Sequence, residues 1–101
     1  MNFGKIIDGV NRGKKAQRNG WNRKGMYIFD FRHSIIKLKE DSDFSEEIYD
    51  VSELDGIIEI GSDKNTFKLE NFVLLKTADN TCIPWNASQT DMLADDWEFI
   101  D

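Results

Sequence analysis

Phe3, Ile6, Ile7 and Val10 recur at the i, i+3, i+4, i+7 spacing of an amphipathic helix. Asn2 stands where an N-cap belongs, and Gly13 after Arg12 supplies a left-handed stop. The predicted helix is about three turns long, too short to be stable on its own in water. Its apolar stripe must therefore lie against something else, and the rest of the chain offers strands. That requirement sets the fold class.

Lys15 to Arg18 reads as a short strand, followed by a turn at Asn19-Gly20. Met26 to Phe31 is rich in β-forming residues, and Ser34 to Lys39 is expected to continue it or pair with it. The acidic stretch DSDFSEEIYDVSELDG has little periodicity and reads as a loop with a helical turn. Ile57–Ile60, Thr66–Leu69 and Phe72–Lys76 read as strands. Ala78 to Thr81 is a hairpin turn, Cys82 to Trp85 the returning strand, and Pro84 puts that strand at an edge. Asn86 or Ser88 can cap a short helix, with Gln89 or Asp91 near its positive end. Trp97-Glu98-Phe99-Ile100 alternates and closes the chain as a strand, with Trp97 in the core. The sum is α+β: an antiparallel sheet packed by an N-terminal helix, with a short second helix near the C-terminus.

Length and composition narrow the function classes. The 101 residues make one domain, 1–101, with 32–69 an acidic insertion-like segment. A mean hydropathy of −0.55, with no long apolar run, predicts no transmembrane helix and no signal peptide. Cys82 and His33 are the single cysteine and histidine, which excludes an intramolecular disulfide and a Cys/His zinc site. A Ser or Cys nucleophile would have His33 alone as its base, in a surface or edge context. Asp91, Asp95 and Asp96 offer oxygens for a metal or for acid–base work, but read better as a solvated helix end. Gly20 and Gly25 lack the spacing of a phosphate loop. No catalytic residue, metal or cofactor is expected.

Charge is divided along the chain. Residues 1–24 carry +6, and the other 77 carry −12. Ten acids and no Lys or Arg lie between Glu40 and Asp63. A basic entry on an acidic body suits a small anionic ligand better than DNA or RNA, which the body would repel.

Two segments carry recognition chemistry. Gly20 to Met26 sets Trp21 in a polar, basic loop, and Pro84 to Asp91 sets Trp85 before amide and hydroxyl groups at a helix start. An indole offers a stacking face for a purine, Asn, Gln and Asp address base edges or ribose, and a helix N-terminus meets a diphosphate. Equally, Trp21 and Trp85 suit core or interface anchors.

At these segments a resemblance emerges. Met1-Asn2-Phe3-Gly4, the loop Gly20-Trp21-Asn22 with Lys24-Gly25-Met26, the turn Lys76-Thr77-Ala78-Asp79 and the run from Pro84 to Trp97 resemble the phage Thoeris anti-defence family of the second type. The resemblance covers residues 1–31 and 70–101. Between 32 and 69, family members usually carry a shorter, proline-containing segment, whereas this chain has its acidic stretch. The resemblance implies a non-enzymatic sponge in the cytoplasm of the infected bacterial host. Such a protein binds glycocyclic ADP-ribose, the signal of a TIR enzyme, and holds it uncleaved, so the effector is never activated. It implies a homotetramer with pockets between protomers and, in some relatives, a separate site for cyclic dinucleotides. Carried onto this chain, the ligand-binding set is Trp21, Asn22, Lys24, Met26, Trp85, Ser88, Gln89 and Asp91. The tryptophans stack, Lys24 meets a phosphate, and Asn22, Ser88, Gln89 and Asp91 read polar edges.

Size points to assembly independently. A chain this short has little core to hollow out around a nucleotide, and a cleft between chains avoids that cost. Two rival functions remain open: an acidic nucleic-acid mimic that blocks a basic host protein, and a nucleotide-degrading enzyme. Reversing acids between Asp41 and Asp55 would abolish a mimic and spare a sponge. An enzyme would return a changed ligand.

Overall fold

The computed structural model describes residues 1–21, 24–39, 46–53, 56–61 and 65–100. The predicted helix is α1 (Phe3–Asn11), entered at Asn2, whose side-chain oxygen accepts the Lys5 N–H at 3.0 Å. Its exit is local too. Gly13 takes a φ of 99°, and the N–H groups of Arg12 and Lys14 return to the Gly9 carbonyl at 3.1 and 3.0 Å. Ile6, Gly9 and Val10 form its buried face.

That face lies on a five-stranded antiparallel sheet built from β1 (Lys15–Arg18), β2 (Tyr27–Asp30), β7 (Val73–Lys76), β8 (Cys82–Pro84) and β9 (Trp97–Ile100). The spatial order is β8-β7-β2-β1-β9. Ala16 stands opposite Ile28 on one side and Phe99 on the other, and Ile28 opposite Leu75. Cross-strand partners share a face, so these four residues line the side that receives α1. Ile6, Val10, Ala16, Ile28 and Trp97 are the buried cluster. The opposite face carries Tyr27, with the Lys15 and Lys76 ammonium groups 5.0 and 5.7 Å from its ring centroid. Pro84 ends β8 at the sheet edge, where its missing N–H costs no ladder bond. The β7–β8 turn closes through the Thr77 N–H to Thr81 O bond at 2.8 Å, with Asn80 in the left-handed region. The short second helix, α2 (Gln89–Leu93), precedes β9. The architecture is α+β, as the helix stripe and the strand alternation require.

The chain divides into two compact units, Met1–Phe31 with Phe72–Asp101, and Arg32–Asn71. At the division Phe31 and Phe72 stack with centroids 4.7 Å apart, and the Phe31 N–H donates to the Phe72 carbonyl at 3.0 Å. The second unit contains two antiparallel ribbons. One pairs β3 (Ile35–Lys39) with β4 (Glu46–Asp50), the other β5 (Ile57–Ile60) with β6 (Asn65–Lys68).

Here the sequence reading needs correction. Ser34 to Lys39 neither continues nor pairs with β2. A 3₁₀ turn at Phe31–His33 breaks the strand, and β2 has β1 and β7 as its neighbours. The acidic stretch is not only a loop with a helical turn. The turn is Val51–Glu53, but Glu46–Asp50 is a strand. That strand pairs with β3 antiparallel, Ile35 opposite Asp50 and Lys37 opposite Ile48. Residues 41–45, 54 and 55 of that stretch lie outside the described residues. Among the described residues no helix is long and apolar enough to cross a membrane.

Candidate functional site

Trp97 opens β9 and is 2% exposed, the core position its alternation predicts. Two other indoles meet it edge-on. Trp21 lies at 5.3 Å and 78°, Trp85 at 5.9 Å and 83°. Phe3 of α1 completes the group, 6.0 Å from Trp97 and 6.2 Å from Trp85. Edge-to-face pairs at these separations stabilise beyond their area burial, by about 0.5–1.5 kcal/mol each. Both outer indoles pack on the core cluster while staying partly exposed. The core-anchor half of the reading is therefore visible, and each ring keeps surface for another partner.

Backbone geometry holds both rings in place. The Trp21 N–H donates to Arg18 O at 3.0 Å, and its carbonyl accepts the N–H groups of Lys24 and Met26 at 2.9 and 3.2 Å. The loop thus winds around one peptide, with Gly20 and Gly25 supplying positive φ. Lys76 Nζ donates to the Gly25 carbonyl at 2.7 Å and ties the loop to β7. On the other side, the Trp85 N–H donates to Val73 O at 3.0 Å. Lys24 is exposed and Met26 half-buried, while Asn22 lies outside the described residues.

Of the two capping candidates, Ser88 caps α2. Its hydroxyl accepts the Asp91 N–H at 3.0 Å, and Asp91 Oδ2 accepts the Ser88 N–H at 3.0 Å. This reciprocal box satisfies two donors that a helix start leaves open. Gln89 is exposed on the first turn. The Asp91 carbonyl accepts Trp97 Nε1–H at 2.9 Å, which locks α2 to the aromatic group.

Asp91 has a second partner. Arg18 Nη1 donates to Asp91 Oδ1 at 3.1 Å, and Arg18 Nε to Asp96 Oδ1 at 3.0 Å. Asp91 and Asp96 are not the solvated helix end expected of them, whereas Asp95 is exposed. Partial burial pushes the Asp91 carboxyl up, but the Ser88 N–H and hydroxyl and the Arg18 guanidinium outweigh it and hold the group below its ordinary range. Arg18 is raised, through its hydrogen bonds to Asp96 and then Asp91. Arg18 and Asp96 were absent from the expected set. The available signal was register: Arg18 is two residues from Ala16 on β1, so a charge faces the core side, opposite Trp97.

The arrangement therefore brings Trp21, Trp85, Ser88 and Asp91 together around Trp97 and Arg18, with Lys24 and Met26 bonded to Trp21 through the backbone. It supplies flat rings, a capped helix start and fixed charges.

A fold of this kind with these motifs falls into a defined family. The sequence model of the Thoeris anti-defense 2-like domain matches residues 1–100, and the chain belongs to that family. The match runs through 32–69, beyond the segments that carried the resemblance. A relative, Thoeris anti-defense 2 of Bacillus phage SP01, is 32% identical over 100 residues, 99% of this chain and 94% of that protein. Family membership supports an anti-Thoeris function.

Proposed function

We propose that the chain is a phage anti-defence sponge: it binds a cyclic nucleotide immune signal and holds it uncleaved, so that the effector stays idle. The substrate class is a glycocyclic ADP-ribose made by a TIR enzyme, with cyclic dinucleotides as a further ligand class. It acts in the cytoplasm of the infected bacterium as a homotetramer with pockets between protomers, each protomer a single ligand-binding domain. The observation that carries this reading is the packing of Trp21 and Trp85, from distant parts of the chain, edge-on against the one buried Trp97, whose indole N–H is bonded to the Ser88-capped helix. Rings of that kind stack on bases without hydrogen-bond readout, and Ser88, Gln89, Asn22 and Asp91 supply polar selectivity. Lys24 contacts a phosphate, which predicts an affinity that falls with salt and in Lys24→Ala. Sequestration is stoichiometric, so the free signal falls only while sites exceed ligand.

A second reading draws on the acidity of Arg32–Asn71 and treats the chain as a nucleic-acid mimic for a basic host surface. One experiment separates the readings. The protein is incubated with candidate cyclic nucleotides, washed and heat-denatured, and the released compound is identified. Intact signal is expected. A converted product would make the chain an enzyme, and release of nothing would overturn the sponge.

A further inference from the structure

One peptide unit of loop 20–26 is held at both ends. The Met26 N–H donates to the Trp21 carbonyl at 3.2 Å, while the Gly25 carbonyl, on the same peptide plane, accepts Lys76 Nζ at 2.7 Å. Two hydrogen bonds thus run in series from the Lys76 ammonium, through that peptide, to the backbone of Trp21. Bonds in series polarise one another, and one given by a cation is short and strong. The Trp21 carbonyl also accepts the Lys24 N–H, at 2.9 Å, so the same chain of bonds reaches Lys24.

Lys76 reaches the loop from a fixed base. On β7 it stands opposite Tyr27 of β2 on one side and Cys82 of β8 on the other. Its ammonium is 5.7 Å from the Tyr27 ring centroid, and the face of such a ring attracts a cation. Gly25 meets it with a φ of 65°, a conformation that glycine adopts without steric cost. Lys24 is exposed, whereas Lys76 is half-buried and already engaged with the loop. The two lysines therefore have different work.

We propose that Lys76 is a positioning residue of the ligand site: it touches no ligand, and it holds the Gly25–Met26 peptide so that Trp21 and Lys24 stand in their binding arrangement before the ligand arrives. The proposal rests on the reading of loop 20–26 as part of a nucleotide site and adds the residue that preorganises it. Preorganisation has a kinetic signature. When only a fraction of the molecules hold the competent loop, association slows by that fraction. Once the ligand is bound its contacts are the same, and so is its dissociation. A residue that contacts the ligand acts chiefly on dissociation instead.

Stopped-flow tryptophan fluorescence with glycocyclic ADP-ribose tests this on the whole chain. Lys76→Met is expected to slow association about tenfold, as when one loop in ten is competent, with dissociation and circular dichroism unchanged. Lys76→Arg keeps a cationic donor and is expected to restore the rate; a rate left low would overturn the assignment. The ratio of wild-type to Lys76→Met association should hold at high salt. A ratio that collapses there would make Lys76 a charge that steers the ligand and would overturn its positioning role. Faster dissociation in Lys76→Met would overturn it too, by making Lys76 a ligand contact. Amide hydrogen exchange without ligand reads the loop directly. The Lys24 and Met26 N–H groups are expected to exchange faster in Lys76→Met than in the wild type, and equal rates would overturn the proposal. A wild type that binds no glycocyclic ADP-ribose, yet shows that exchange difference, would overturn the nucleotide reading and keep Lys76 as the residue that holds the loop.

Discussion

Arg18 Nη1 donates to Asp91 Oδ1 at 3.1 Å across 73 residues of chain, joining the strand beside α1 to the helix before β9. The same guanidinium holds Asp96, so one side chain fixes both ends of the segment that delivers Trp97. Arg18 and Asp91 have side chains 22% and 16% exposed, and a cation removed there leaves two anions half-buried. Arg18→Met is expected to cost about 2 kcal/mol, at the level of charge-assisted hydrogen bonds. Urea unfolding measures it, and a loss within experimental error would show that water replaces the cation.

Acid stability follows from the same bond. The Asp91 carboxyl is held low in the folded chain, so the unfolded chain binds its proton more readily. Its contribution is complete above the unfolded carboxylate value of about 4 and is lost as pH falls through the lower folded value. Arg18 is raised above an already high value and adds no slope at neutral or acid pH. Unfolding free energy is therefore expected to be level near neutrality and to fall below about pH 4. Asp91→Asn should be less stable at pH 7 and show a shallower acid slope; an unchanged slope would assign the acid sensitivity to other carboxylates.

The contrast between Asn2 and Arg18 shows what could be read from sequence. Asn2, Gly13, Ser88 and Asp91 act within a few residues of themselves, so capping chemistry placed both helices. Trp97 to Ile100 alternates against a sheet, and its burial followed. Arg18 depends on partners more than seventy residues away, and nothing near it names them. The strand at Ile35–Lys39 was legible from its β-forming residues. Its partner was decided by the 3₁₀ turn at Phe31–His33 and by the prior claim of β7 on β2, both tertiary facts. At the candidate site the residue types and segments were legible, but the convergence of Trp21 and Trp85 on one buried indole was not.

Trp21 and Trp85 are expected to carry ligand affinity beyond their packing. Trp21→Ala and Trp85→Ala should each weaken binding by about 1–3 kcal/mol, the range for a base stacked on an aromatic ring. Both rings also rest on Trp97, so each variant should lose some stability. Calorimetry below the melting transition, with circular dichroism as the check on folding, separates the two effects. Unchanged affinity in both variants would leave the rings as core anchors alone.

Gly9 supplies the last test, on how α1 meets the sheet. A Cβ at this position would fall well inside contact distance of the Phe99 ring, on two of its atoms. Gly9 is buried, and Lys14 Nζ lies 4.7 Å from the centroid of that ring. Alanine favours a helix over glycine by about 1 kcal/mol, so propensity alone predicts that Gly9→Ala stabilises. The new methyl must displace the tip of a ring packed under α1, and overpacking of this kind costs about 1–3 kcal/mol. The clash is expected to win, giving a net loss of stability in thermal unfolding. Phe99→Leu should be milder in the Gly9→Ala background than in the wild type, because the smaller side chain vacates the space the new methyl needs. A Gly9→Ala chain more stable than wild type would mean that α1 sits farther from β9 than this packing requires.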